Sequence, residues 1–444
     1  MEFVRSLRHL WRHRYFRRLL AVRVATQSSD GLLQIALASY VLFSPERQPD
    51  ATSIATVLAI TLLPFSVLGP FVGVVLDRVS RRQVLVVVDL TRSVLALGLA
   101  ALVASGLRTR GVETLFYAGV LLAMSLNRFL LAALSASLPH TINEDEYMVA
   151  NSVVPTVGPA GALVGAGVGT ALRLLLGRSM ADHTANAVLF AVVAAGFVLS
   201  ASLALRIPRR RLGPDVPEPT RPRDVVAGLT AALVHLRTRR AAGIGLLTIG
   251  AHRVVYGIVT VATILVYRNY FHTVDQVDPA IADLGLLVVV TGAGSVLAAA
   301  VTPPATAGLG VRRWVVISLV GSAVVQVLPG AIYAKVPLLV AAFLLGLAAQ
   351  NLKICVDTLV QAHVDDELKG RVFVIYDMVF NVALVVAAVL AALVLPTNGK
   401  SVLALVVLAA CYLAVAGAFA LVTRGLDLDA GTESLRREAT PTPG

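Results

Sequence analysis

Cysteine is nearly absent from this chain. Among 444 residues there are only Cys355 and Cys411, both in apolar segments, which leaves neither a disulfide framework nor a cysteine-based zinc site to expect. Charge is scarce too. Charged residues make up 14% of the sequence, against roughly 25% in soluble globular proteins. No nucleophile–base arrangement and no metal-ligand cluster stands out, so an enzyme is not expected. Gly165-Ala166-Gly167-Val168-Gly169 imitates a dinucleotide fingerprint, but it lies inside an apolar run with no preceding strand. Gly399-Lys400-Ser401 lacks the upstream glycine of a phosphate-binding loop. No bound cofactor is therefore expected.

What the chain has in abundance is apolar length. Hydrophobic residues account for 57% of it, and mean hydropathy is +0.80, which marks a membrane protein rather than a soluble helical one. Runs of roughly 20 apolar residues read as spans. Twelve fit, at 19–43, 53–76, 84–106, 112–138, 149–176, 185–206, 241–267, 284–304, 313–334, 336–357, 372–395 and 401–424. The N-terminus looks superficially like a secretory signal, but Asp30 interrupts its apolar run, which also exceeds the usual core of such signals. It reads as a retained first span. The expected organisation is a basic N-terminus (1–18), a six-helix half (19–206), a linker (207–240), a second half (241–424) and a tail (425–444). The linker carries Pro208, Pro214, Pro217, Pro219 and Pro222 among many arginines.

The net charge is +12, but the basic residues cluster in short loops between apolar runs, a pattern that argues against nucleic acid. It orients the chain instead. With both termini cytoplasmic, inner segments hold 25 of the 38 Lys and Arg residues and outer loops hold 8. An acidic triplet, Glu144-Asp145-Glu146, follows span 4, and another, Asp365-Asp366-Glu367, follows span 10, an offset of 221 residues. Such an echo suits a parallel repeat of six spans. Arginine far outnumbers lysine, which fits a high-GC bacterial genome.

Between spans 2 and 3 runs Gly73-Val-Val-Leu-Asp77-Arg78-Val-Ser-Arg81-Arg82. Charges in hydrocarbon cost ~2.5–3.5 kcal/mol each, so this loop belongs at a membrane surface. It resembles the signature G-x-x-x-D-R-x-G-R-R of the major facilitator superfamily, with Ser80 in place of the second glycine. The likeness extends along essentially the whole chain. Ala150-Asn151-Ser152 opens span 5 and Gly370-Arg371-Val372 opens span 11, as in a branch with the enterobactin exporter, macrolide-efflux proteins and lysophospholipid transporters. Ser28-Ser29-Asp30-Gly31 is similar to that branch's span-1 element, and Arg128 is what remains of its span-4 motif. In span 5, Gly158-Pro159-Ala160-Gly161 begins a glycine series that is out of register with the exporter pattern.

The resemblance implies an all-α membrane protein of the major-facilitator-like fold, with twelve transmembrane helices in two six-helix halves around a central cavity. It implies proton-coupled export of an amphipathic small molecule such as a drug, siderophore or metabolite, from a monomer in a bacterial inner membrane. A lysolipid carrier, an importer and a non-transporting scaffold or sensor remain alternatives. The resemblance also makes the loop a conformational latch. Gly73, Asp77, Arg78, Arg81 and Arg82 would meet Gly370 and Arg371 at the start of span 11, where a helix N-terminus favours an anion by roughly 0.3–1 kcal/mol. A purely topogenic loop is the other reading.

Ionisable residues within spans are functional candidates. At ~1.5 Å per residue, Asp30 lies about 18 Å into span 1, Arg128 about 15 Å from the inner end of span 4, and Arg253 about 18 Å into span 7. The resemblance places spans 1, 4, 7 and 10 around the cavity. Asp30, the acid nearest the midplane, is the expected proton carrier, with Arg128, Arg253 and His252 as partners; a static ion pair is the alternative. Gln27, Gln34, Asn127, Tyr256 and Gln350 are expected cavity groups. Asp89 with Arg92, and Lys353 with Asp357, read as local pairs one helical turn apart. Gly158, Pro159, Gly161, Gly165 and Gly169 read as a helix-packing face.

Overall fold

Apolar chain in hydrocarbon must satisfy its backbone internally, and a helix does so within one segment. The computed structural model describes residues 11–42, 51–67, 69–72, 76, 78–107, 109–143, 147–209, 211–213, 222–273 and 276–429. Among these residues there are thirteen α-helices and no strand. Six come first: α1 (Arg14–Leu42), α2 (Ala51–Val67), α3 (Arg81–Ala104), α4 (Arg110–Ser137), α5 (Tyr147–Leu176) and α6 (Asp182–Leu205). Then follow α7 (Pro222–Thr238), α8 (Arg240–Leu265), α9 (Val277–Leu309) and α10 (Val311–Val327). The last three are α11 (Lys335–His363), α12 (Asp366–Val394) and α13 (Val402–Val422).

All but α7 overlap the twelve expected spans, one helix to each. Ten helical stretches among the described residues are long and apolar enough to cross a membrane by length and composition. The other two expected spans are α1, where arginines and Asp30 dilute the hydropathy over 29 residues, and α10, which has 17 residues. Two ends differ from expectation for a local reason. α2 contains Pro64, stops at Val67 and gives way to a 3-10 turn at Gly69–Phe71, so span 2 is not one helix to residue 76. α10 stops short of residue 334 because Pro329 and Gly330 follow it.

The linker contains a helix that the sequence reading does not assign. α7 starts at Pro222 and carries Asp224 in its first turn, both favourable at a helix N-terminus. Gly228, Ala232 and Leu236 are buried. Asp365, just before α12, accepts from Arg239 at 2.5 Å and lies 3.7 Å from the His235 ring.

Contacts divide the chain into two units, Met1–Ser44 with Val67–Val225, and Pro45–Ser66 with Val226–Gly444. The segment 45–66, which the sequence reading gives to the first half, groups with the second; there the Ser66 hydroxyl donates to the Met378 carbonyl at 3.4 Å. Within the first unit α1 packs on α5 and α6, and α3 on α4 and α6. Within the second, α8 packs on α12 and α13, and α10 on α11 and α13. Counted in spans, the same pairing recurs six spans later.

The α1–α5 seam is close because glycines line it. A Cβ at Gly165 would overlap the Ser28 carbonyl, and one at Gly31 would overlap the Ala162 carbonyl. Gly161 and Gly169 lie against Val24 and Ile35, Gly158 lies against Gln27, and Pro159 is exposed.

Candidate functional site

Thr26 and Asp30 are one turn apart on α1, and Asp89 and Arg92 one turn apart on α3, so each helix presents two polar groups on one face. The faces meet. Arg92 donates to the Asp30 carboxylate and lies 3.4 Å from both Asp89 Oδ1 and Thr26 Oγ1. Thr26 donates to Asp89 Oδ1 at 3.1 Å. The guanidinium sits 4.0 Å over the ring of Phe197 on α6. Asn127 of α4 is a further hydrogen-bond neighbour of Asp30. Arg92 and Asp89 side chains are 0% exposed and Asp30 7%.

The cation beside Asp30 is thus Arg92 and not Arg128. Asn127 and Arg128 are neighbours in sequence and point about 100° apart around α4. With Asn127 turned toward Asp30, the Arg128 guanidinium lies against the turn at Gly69. The Asp89–Arg92 pair exists, as read, but Arg92 also extends to α1. The i,i+3 charge pair inside a span was the available signal for that role.

In the second unit Arg253 lies 3.4 Å from the Phe380 ring centroid and 5.6 Å from that of Tyr256. His252 is buried between Tyr256 and Tyr412, at centroid distances of 5.7 and 5.6 Å. Phe380, Tyr376 and Tyr412 were not singled out by sequence, since aromatics in apolar spans give no signal of their own. Lys353 and Asp357 pair at 2.6 Å. Gln27 buries an unpartnered side-chain oxygen, Gln34 is exposed and Gln350 is half-buried.

Of the loop residues, Gly73 and Asp77 lie outside the described residues. Arg81 donates to the Ala136 carbonyl at 2.8 Å and the Leu212 carbonyl at 3.2 Å, and Arg82 to the Ile207 carbonyl at 3.2 Å. These two arginines tie the start of α3 to the ends of α4 and α6, satisfying carbonyls that the helices leave open. Ser80, in place of the family glycine, donates to the Arg209 carbonyl at 2.7 Å. Arg371 packs against Gly228 of α7, and Gly370 has open space around it.

A chain of apolar spans with ionisable groups sealed inside them has the makings of a polytopic membrane transporter. Residues 22–274 and 245–442 match the Major Facilitator Superfamily. Uncharacterized MFS-type transporters of Mycobacterium tuberculosis and Mycobacterium bovis are each 34% identical to it over 420 residues, 93% of this chain and 90% of theirs. The chain belongs to the major facilitator superfamily. It is a multi-pass membrane transporter and not an enzyme. Solved structures share the fold. The nucleoside transporter NupG aligns with TM-score 0.65 at 14% identity, over 92% of this chain and 98% of its own. A D-xylose-proton symporter aligns with TM-score 0.62 at 14% identity, over 92% and 97%.

Proposed function

We propose that this transporter exports an amphipathic small molecule in exchange for protons, by alternating access in a bacterial cell membrane. The observation that carries the coupling is the buried Asp30–Arg92–Asp89 set. Two carboxylates share one guanidinium, so the set is neutral with one bound proton and negative without it. Buried charge is costly, so the two protonation states favour different arrangements of the surrounding helices. Asp30 is the member that retains exposure, which makes it the point of proton entry and exit. Support for export comes from the likeness of Ala150-Asn151-Ser152 and Gly370-Arg371-Val372 to the efflux branch.

A lysolipid carrier is the second reading, favoured by a crevice of about 720 Å³ in the first unit between α1, α5 and α6. Val24, Leu32, Val164 and Leu199 line it, with Arg17 toward the N-terminal end of α1. An apolar trough beside a cation suits an acyl chain and its headgroup. Everted membrane vesicles with an acidic interior test both readings. Uptake of amphipathic compounds from a panel is expected, lost when a protonophore collapses the gradient. Uptake indifferent to the protonophore would remove proton coupling, and uptake of lysolipids alone would favour the second reading.

A further inference from the structure

Arg92 and Arg253 both lie face-on over an aromatic ring inside a span, yet their surroundings differ. Arg92 is sealed, with two carboxylates supplied by its own unit. Arg253 has no ion pair and no hydrogen bond among the described residues, and it is half-buried. Phe380 covers the face of its guanidinium.

The groups around it are also incomplete. Both ring nitrogens of His252 and the hydroxyl of Tyr412 are buried without a hydrogen-bond partner, whereas the Tyr376 hydroxyl lies beside the Asp357 carboxylate. Arg253 lies within electrostatic reach of Tyr256, Tyr376 and Tyr412. Tyr376 stacks on Phe380, with centroids 6.2 Å apart and planes at 17°, so the rings form a continuous apolar wall. Lys353 lies near this wall, 5.6 Å over the Tyr376 ring, but its charge is cancelled by Asp357. Asp377 also lies within electrostatic reach of Tyr376, and Arg253 is the cation of this cluster that makes no ion pair among the described residues.

Buried polar groups are normally satisfied, and an intramembrane cation is normally paired. A set that lacks both is completed by a ligand. A guanidinium edge presents parallel N–H donors whose spacing matches a carboxylate or phosphate. Aromatic walls suit the apolar body attached to such a group. We infer that the Arg253 cluster binds the oxyanion, carboxylate or phosphate, of an amphipathic anion. Arg253 grips the oxyanion, Tyr412 and His252 add hydrogen bonds, and Phe380 and Tyr256 back the apolar part. That the anion is the transported substrate rests on the transport reading above; the binding itself does not.

Calorimetric titration of the purified full chain in dodecyl maltoside tests this, with benzoate, phenyl phosphate, benzyl alcohol and benzylamine as probes. Benzoate or phenyl phosphate is expected to bind at least about tenfold more tightly than benzyl alcohol, and benzylamine no more tightly than the alcohol. The better of the two anions identifies the headgroup class. Arg253→Gln is expected to lose about tenfold on that anion and nothing on benzyl alcohol, and Arg253→Lys to recover part of the loss. Tyr412→Phe, which keeps the ring, is expected to weaken the anion about threefold; together with Arg253→Lys it decides the matter where Arg253→Gln fails to fold. Equal binding of anion and alcohol by the wild type overturns the inference, as does an unchanged anion affinity in a folded Arg253→Gln. Asp30→Asn is expected to bind the anion normally, so a failure of proton coupling and a failure of anion binding are told apart.

Discussion

Arg92 reaches two carboxylates, a hydroxyl and an aromatic face from a single position on α3. Replacing it with alanine leaves the buried Asp30 and Asp89 without a counter-charge. Breaking a buried pair from one side costs about 3–5 kcal/mol. Arg92→Ala is therefore expected to lower the melting temperature in detergent sharply, and Asp30→Asn, which leaves the Asp89 pair, to lower it much less. Equal, small losses would mean that the set contributes little to packing. The sequence identified Asp30 and the charges near it because ionisable residues in apolar runs are conspicuous. It did not identify the partner. A rotation of about 100° between adjacent helix positions separates Asn127 from Arg128, and hydropathy does not resolve which of the two turns toward α1.

At the scale of elements, the α1–α5 seam depends on backbones approaching closely enough to exclude a methyl group. Gly165→Ala forces a Cβ into the Ser28 carbonyl, an overpacking cost of about 1–3 kcal/mol. Gly167 has open space around it, so Gly167→Ala adds helix propensity of up to about 1 kcal/mol and no clash. Thermal unfolding of the two variants is expected to move in opposite directions, and parallel shifts would dissociate the glycine face from packing. The spans themselves were legible, with ends off by up to nine residues, because apolar length is imposed by the bilayer and helix ends are not. α7 was not, since a 17-residue helix among prolines and arginines has too little apolar length to stand out. The break near Pro64 was legible in principle, but the apolar run continues past it and conceals the end of α2.

At the scale of the molecule, the same internal pairing of spans recurs in both units, the kind of repeat on which alternating access is built. The bias of basic residues predicts that both termini and α7 share the cytoplasmic side. In a background of Cys355→Ala and Cys411→Ala, Asn398→Cys is expected to react with an impermeant thiol reagent in intact cells, and Thr238→Cys only after the membrane is broken. The reverse pattern would invert the topology. The central claim is that Asp30 carries the proton that links movement of the units to the gradient. Reconstituted wild-type and Asp30→Asn proteins, compared for pH-gradient-driven accumulation and for counterflow of the same substrate, test it most directly. An amide cannot release a proton, so Asp30→Asn is expected to lose accumulation while keeping counterflow. Full gradient-driven accumulation by Asp30→Asn would contradict the account.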